Sequence, residues 1–363
     1  MKVKVNKNEL KEEICKINKI MKKENLLLYS KLICLDVRND QILLSVVQHA
    51  ISMRTKIDNI IMDEPFSCLF DGNMVMALLA KMPSENVILS YDKEKMELIL
   101  KDESHAKMKL RCNDKAQFAG WKELESPDFE KKTDILFHYI AACKHALPTK
   151  DSNDIMSSFC IQYGANRWKI TAIDGSRISS RGDISNIENT ILVPGNIMTM
   201  LEGIFQNKLV TISMKNEDIW IRDEITEVYL RTVSGKYFNL ENIIDTEYKY
   251  KITLDRAELE YVLTLAHVSL LNETLKVGVL TFNGNSMEIT TSDRIGNEMK
   301  NVINYDGNIN GSIRVGMNLK FMLDAVKSIP DDTITLELIS EVHPMKISGE
   351  EYLEIVLPTK LKA

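Results

Sequence analysis

The sequence predicts an α+β protein built from three copies of one unit, each copy a strand, a helix and three strands, twice over. Three observations predict it. A short helix-start pattern recurs about every 120 residues, β-branched runs follow each recurrence, and a longer amphipathic helix opens each unit.

The recurring pattern is Asp71-Gly72-Asn73-Met74-Val75-Met76-Ala77-Leu78, then Pro194-Gly195-Asn196-Ile197-Met198-Thr199-Met200-Leu201, then Gly316-Met317-Asn318-Leu319-Lys320-Phe321-Met322-Leu323. The asparagines lie 123 (196 − 73) and 122 (318 − 196) residues apart. Positions one, four and five after each are apolar or Ala, which is one face of a helix, and each Asn is expected to cap the helix start. After the helices come alternating runs: 87–89, 96–100 and 108–110; 209–214, 219–221 and 228–233; 334–338, 345–347 and 352–357. Each set reads as a three-stranded meander.

The longer helices are expected over about 8–23, 134–147 and 255–269. In the first, Leu10, Ile14, Ile17 and Met21 form the buried stripe, with Lys16, Lys19, Lys22 and Lys23 on the far side. Strands are expected over 32–37, 42–47 and 50–57. Joints near Ser126-Pro127 and 245–248 divide the chain into domains 1–126, 127–247 and 248–363.

Composition removes several classes. Hydrophobic residues are 44% and charged residues 27%, as in a globular protein. No apolar run approaches the roughly 18 residues that span a bilayer, and the amino terminus has no apolar signal core, so a cytoplasmic location without membrane contact is expected. The six cysteines form no C-x-x-C pair, and the six histidines show no metal-ligand spacing, so neither metal nor cofactor is expected. P-loop, H-E-x-x-H, G-x-S-x-G and Rossmann fingerprints are absent. The candidate catalytic carboxylate is Asp174, before Gly175; Asp293 stands in the similar place 119 residues on (293 − 174), and a repeated Asp at a strand end suits a turn cap. No catalytic residue is assigned. A β-rich hydrolase using Asp174 is an alternative, but a threefold repeat offers it no obvious cleft. The net charge of −6 leaves room for a local basic face on an acidic body.

Four segments carry a resemblance. Ile170-Thr171-Ala172-Ile173-Asp174-Gly175-Ser176-Arg177-Ile178 is similar to a T-D-G-H-R-L turn, and Ser234-Gly235-Lys236-Tyr237 to E-G-K-F/Y-P. Val315 to Asp324 is similar to G-F-N-x-x-Y-L-x-D, and 355–361 to V-V-M-P-M-R-L. In this order, over the whole chain, the sequence resembles the bacterial DNA polymerase III β subunits, the sliding clamps. The resemblance implies a DNA-clamp fold and a head-to-tail homodimeric ring, with sheets outside and helices inside, around duplex DNA held without sequence preference. It implies a processivity factor with no chemistry of its own, opened by an ATP-dependent loader. The expected partners are the polymerase III α subunit, the clamp loader and repair polymerases, each bringing a short apolar peptide.

Carried over position by position, the peptide site from the middle unit is Met156, Gly175, Ser176, Arg177, Ile178, Phe238, Asn242 and Ile243. From the last unit it is Asn318, Phe321, Val342, Pro344, Ile355, Leu357, Pro358, Thr359 and Lys360. Alternation places Leu353, Ile355 and Leu357 on one strand face. Exposed lysines on inner helices suit phosphate contacts that read no bases, and Lys16, Lys19, Lys22, Lys23, Lys144, Arg256, Lys320 and Lys327 are the candidates. By alignment, Met108 and Leu110 meet Leu270 and Leu271 of a second copy. The chain departs from the family at Ile173, Ser176, Phe238 and Asn242, and the departures at Ile173, Phe238 and Asn242 also suit a divergent clamp paralogue with altered partners.

Overall fold

The computed structural model describes residues 1–21, 32–48, 50–103, 107–150, 153–164, 167–182 and 189–361. The first repeat runs β1 (Lys2–Asn6), α1 (Lys7–Ile20), β2 (Ile33–Arg38), β3 (Gln41–Val47), β4 (Ile51–Ile57), a two-residue β5 (Ile61–Met62), β6 (Phe66–Phe70), α2 (Gly72–Leu79), β7 (Asn86–Asp92), β8 (Glu97–Asp102) and β9 (Lys107–Arg111). The second runs β10 (Phe129–Thr133), α3 (Leu136–Cys143), β11 (Ser158–Tyr163), β12 (Trp168–Ile173), β13 (Arg177–Arg181), β14 (Asn189–Pro194), α4 (Gly195–Phe205), β15 (Val210–Lys215), β16 (Asp218–Arg222) and β17 (Thr226–Arg231), with a short α5 (Glu241–Ile244) after it. The third runs β18 (Tyr250–Asp255), α6 (Arg256–Ser269), β19 (Val277–Ser292), β20 (Glu298–Asn318), α7 (Leu319–Ser328), β21 (Thr333–Leu338), β22 (Met345–Ser348) and β23 (Tyr352–Val356).

The helices start where local chemistry lets them. Asn6 accepts from the Asn8 and Glu9 amides and caps α1. The buried stripe of α1 is Leu10, Ile14, Ile17 and Ile20; Met21 is the C-cap and lies off it. Of the three expected asparagine caps, only Asn318 caps its helix, accepting from the Lys320 and Phe321 amides. α2 is capped two residues early, by Asp71, and Asn196 lies inside α4. Two residues is a rotation of about 200°. α2 therefore buries Gly72, Val75 and Leu79 and turns Met74 to solvent. Helix starts at 72, 195 and 319 still repeat at 123 and 124 residues.

The third repeat hides a hairpin. The Thr290 hydroxyl lies 3.5 Å from the Val279 carbonyl, eleven residues back along β19. Extended chain would put them about 36 Å apart. The strand folds back at Gly284-Asn285, Gly284 having a φ of 59°, so that Asn283 faces Ser286 and Val279 faces Thr290. Leu280 then stands across from Ile289 and Phe282 across from Met287, all four fully buried. The front half of the third repeat thus keeps the three-strand set expected of it.

The chain forms two compact units. The first comprises Met1–Phe137 and Met200–Thr232. It holds a five-stranded sheet, β5-β1-β7-β8-β9, and an eight-stranded one, β10-β15-β16-β17-β4-β3-β2-β6, joined where β17 pairs with β4. α1 packs on β3, β4 and α2. The second unit comprises His138–Thr199 and Val233–Ala363 and holds a ten-stranded sheet, β14-β11-β12-β13-β23-β22-β21-β18-β20-β19, joined where β13 pairs with β23. Its main core lies between the inner faces of α6 and α7 and the strands of the third repeat. A smaller apolar cluster sits at the β13–β23 seam.

Candidate functional site

The site grows from a tight turn. Gly175 has a φ of 85°, which L side chains avoid, and the Asp174 carboxylate accepts from the Ser176 and Arg177 amides at 2.9 and 3.2 Å. The other carboxylate oxygen takes Arg177 Nε at 2.9 Å. Asp174 is thus a turn cap with its oxygens committed, which removes the carboxylate that the hydrolase alternative relied on.

Arg177 is buried and reaches α7. Its guanidinium binds Asp324 at 2.9 Å and lies 4.2 Å from the Phe321 ring centre. Burial raises the Asp324 carboxyl, but hydrogen bonds from Lys320 and Arg177 outweigh it and hold the group below the usual carboxylate range. Asn318, as the α7 cap, fixes where Phe321 starts.

The chain end closes on the same turn. The Leu357 amide donates to the Ser176 carbonyl at 2.9 Å, and the Thr359 amide to the Gly316 carbonyl at 2.7 Å. A β-carbon on Gly316 would lie 2.5 Å from the Thr359 carbonyl oxygen, so only glycine lets the tail cross there. Beneath, Ile173, Ile178 and Ile355 form a buried floor, with Met156, Tyr237, Leu240, Ile243, Ile244 and Leu353 packed around it. Leu353 and Ile355 face this cluster as the alternation predicts; Leu357 lies just beyond the strand and is 39% exposed, and Phe238 is 40% exposed.

The structure brings together most of the carried-over positions. Ser176, Arg177, Phe321 and Leu357 join through the contacts above, Gly175 through the turn, and Met156, Ile178, Ile243 and Ile355 through packing. Pro358 and Thr359 are half-buried and Lys360 exposed. Asn242 and Val342 are exposed, and Pro344 is half-buried next to Met345, whose ladder partner is Val356. Sequence reasoning left out Tyr237, Leu240 and Ile244 from the cluster, and Asp324 as the second anchor of Arg177. The apolar spacing of Leu240, Ile243 and Ile244 was the available signal.

The basic candidates divide. Lys16 is half-buried and bonded at 2.5 Å to Glu13, itself buried and accepting from Thr55, so Lys16 is a structural counter-ion rather than part of a solvent face. Arg256 is spent on Glu260 and the Asp331 carbonyl. Lys19, Lys144, Lys320 and Lys327 are exposed, although Lys320 pairs with Asp324 and Lys19 reaches the Gly203 carbonyl at 3.4 Å. Lys22 and Lys23 lie outside the described residues.

The residues expected to meet a second copy divide too. Met108, on the terminal strand β9, is 42% exposed, but Leu110 is 7% exposed; Leu271 is 66% exposed, but Leu270 is 2% and belongs to the main core. Leu110 and Leu270 are therefore fold residues. α6 also exposes an apolar stripe: Tyr261, Leu265 and Val268 lie at helical spacing, and Leu271 follows them.

Known proteins share this design. Residues 1–118 match the family model "DNA polymerase III beta subunit, N-terminal domain", and residues 241–358 match its C-terminal domain. The beta sliding clamp of Staphylococcus aureus is 21% identical over 344 residues, 90% of each chain, and that of Streptococcus pneumoniae 18% over 380 residues, 98% of each. The crystal structure of the DNA polymerase sliding clamp from Bacillus subtilis superposes with a TM-score of 0.92 at 18% identity, covering all of both chains. With the fold shared end to end and its one carboxylate candidate tied up as a turn cap, this chain belongs to the DNA polymerase III beta subunit family, the non-catalytic beta sliding clamps.

Proposed function

We propose that the chain acts as a DNA sliding clamp: a homodimeric ring that encircles duplex DNA and tethers the replicative polymerase and other partners through apolar peptides. The observation that carries the reading is the uneven exposure at the β13–β23 seam. A floor of three buried isoleucines lies at the seam, the part-exposed Leu357 is tied to the Asp174 turn beside it through the Ser176 carbonyl, and the part-exposed Phe238 stacks edge-on against Tyr237 of the same cluster. An apolar anchor gains affinity from such a floor, and the polar turn fixes direction.

The three repeats, read as domains 1–126, 127–247 and 248–363, would supply the six domains of a two-copy ring. Ring closure needs two unlike surfaces of one chain to meet, and two are available: β9 with Met108, and α6 with Tyr261, Leu265, Val268 and Leu271. Lys19, Lys144, Lys320 and Lys327 remain as the exposed cations for a sliding, base-blind grip.

The test is the binding of a fluorescent peptide of the Gln-Leu-x-Leu-Phe type, read by anisotropy against the Leu357→Glu variant. Saturable binding by the wild type, weakened at least about tenfold by a charge placed in the apolar seat, is the expected result. Equal binding by both proteins would remove the seam as the partner site.

A further inference from the structure

Two of the six cysteines lie together. Leu69 of β6 and Asn113, just past β9, exchange both backbone hydrogen bonds at 2.9 Å. The residues one before each, Cys68 and Cys112, therefore project from the same face of this short ladder as diagonal neighbours. The Cys112 thiol donates to the Leu110 carbonyl at 3.7 Å. Both are free; Cys68 is fully buried and Cys112 almost so. Cys34 pairs with Leu69 in the β2–β6 ladder and so points to the opposite face from Cys68.

The two sulfurs are not equivalent. The neighbouring Cys68 thiol, aided by the Leu98 amide, holds the Cys112 thiol below its ordinary pKa despite burial. The neighbouring Cys112 and burial push the Cys68 thiol up. Cys112, the less buried of the two, meets an oxidant first and is thus the nucleophilic member, with Cys68 the resolving one.

We propose that Cys112 and Cys68 are an oxidation site, closing to a reversible intramolecular disulfide when the protein meets a peroxide or a small-molecule disulfide. With hydrogen peroxide, the Cys112 thiolate attacks one oxygen and breaks the O–O bond; hydroxide leaves, takes up a proton and becomes water, and Cys112 becomes a sulfenic acid. Cys68 then attacks that sulfur, the S–S bond forms, and a second water departs. Two thiols lose two electrons and two protons, and the peroxide is reduced to two waters. With a small disulfide, Cys112 displaces one thiol to form a mixed disulfide, and Cys68 displaces the other.

Closure moves a strand end. Diagonal neighbours in a ladder have α-carbons about 7–8 Å apart, whereas a disulfide draws them to about 5.5–6 Å. The residues just past β9 must approach β6, the terminal strand of the eight-stranded sheet. The site stands without the ring reading; its consequence for β9 as a contact strand rests on it.

The experiment uses the full chain with the exposed Cys15 replaced by Ser, treated with hydrogen peroxide while folded, then denatured, alkylated and mapped under non-reducing conditions. The expected product is a chain lighter by two hydrogens in which the Cys68 and Cys112 peptides are linked. Dithiothreitol reverses it, and Cys112→Ser prevents it. Because Cys112 is the nearer of the two to the surface, Cys112→Ser is the deciding variant, with circular dichroism and a melting curve confirming that it folds. Full alkylation of both thiols after peroxide, or a cross-link from Cys68 to Cys34 instead, would overturn the proposal. Sedimentation of the oxidised and reduced forms separately reports any change in dimer affinity.

Discussion

Arg181 and Glu354, both fully buried, are paired across β13 and β23 on the face of those strands opposite Ile178 and Ile355. Glu354 also accepts from the Ser179 and Ser328 hydroxyls at 2.7 and 3.0 Å and meets His145 Nε2 at 3.2 Å. Two strands from distant parts of the sequence are thus held in register by an ion pair on one face while they floor the candidate peptide seat on the other.

Breaking that pair from one side leaves an uncompensated buried charge. Glu354→Gln is expected to cost about 3–5 kcal/mol in urea unfolding, and Arg181→Met a similar amount. The double variant should lose less than the two single losses added together, because it removes both charges. Additive losses would mean that the two groups act independently.

The same carboxylate sets an acid limb. Burial pushes the Glu354 carboxyl up, but hydrogen bonds from His145 and Ser179 and the Arg181 charge pull it below its ordinary value of 4.5. A folded-state pKa below the unfolded one means that the stabilisation is present above pH 4.5 and is lost as pH falls through the lower folded value. Between about pH 4.5 and 2, stability should fall less steeply in Glu354→Gln than in the wild type, as measured by urea midpoints at fixed salt.

Neighbouring leucines on the α6 exit should behave oppositely. Leu270→Ala opens a cavity in the main core and is expected to cost about 2–5 kcal/mol of stability. Leu271→Ala should stay within about 0.5 kcal/mol in the monomer, and instead weaken self-association in sedimentation equilibrium. A reversal of the two effects would put the contact surface on another face of α6.

Lysines on α1 and α7 separate structural from ligand-facing charge. Lys327→Ala should lower the slope of log binding against log salt on duplex DNA by about 0.9, the value of one phosphate contact. Lys16→Ala should leave that slope unchanged and destabilise the fold by leaving Glu13 without its counter-ion. An unchanged slope in Lys327→Ala would take α7 out of the DNA-facing set.

What the sequence made legible follows its periodicities. The stripe of α1, the repeat length and the meanders depend on local spacing, and they stand within a residue or two. Helix caps were harder, since Asp71 and Asn73 both qualify chemically and only the packing of Val75 and Leu79 selects between them. Lys16 looked solvated because its partner Glu13 is buried by Thr55, 42 residues away. Arg181 and Glu354, 173 residues apart, carry no local sign of their pairing. At the seam, motif spacing found the turn and the tail, but which of Leu110, Leu270 and Leu271 faces water depends on strand and helix register that composition does not encode.

Gly316 gives the chain end an address. Its missing side chain lets the tail cross β20 at Thr359, and Leu357 takes its place beside the Asp174 turn through the stretch that this crossing anchors. A single methyl group at position 316 would lift that stretch. The proposed peptide binding would then fail in a protein whose seat residues are all intact and whose sheets still form, a defect that a survey of contact residues alone would never trace to its source.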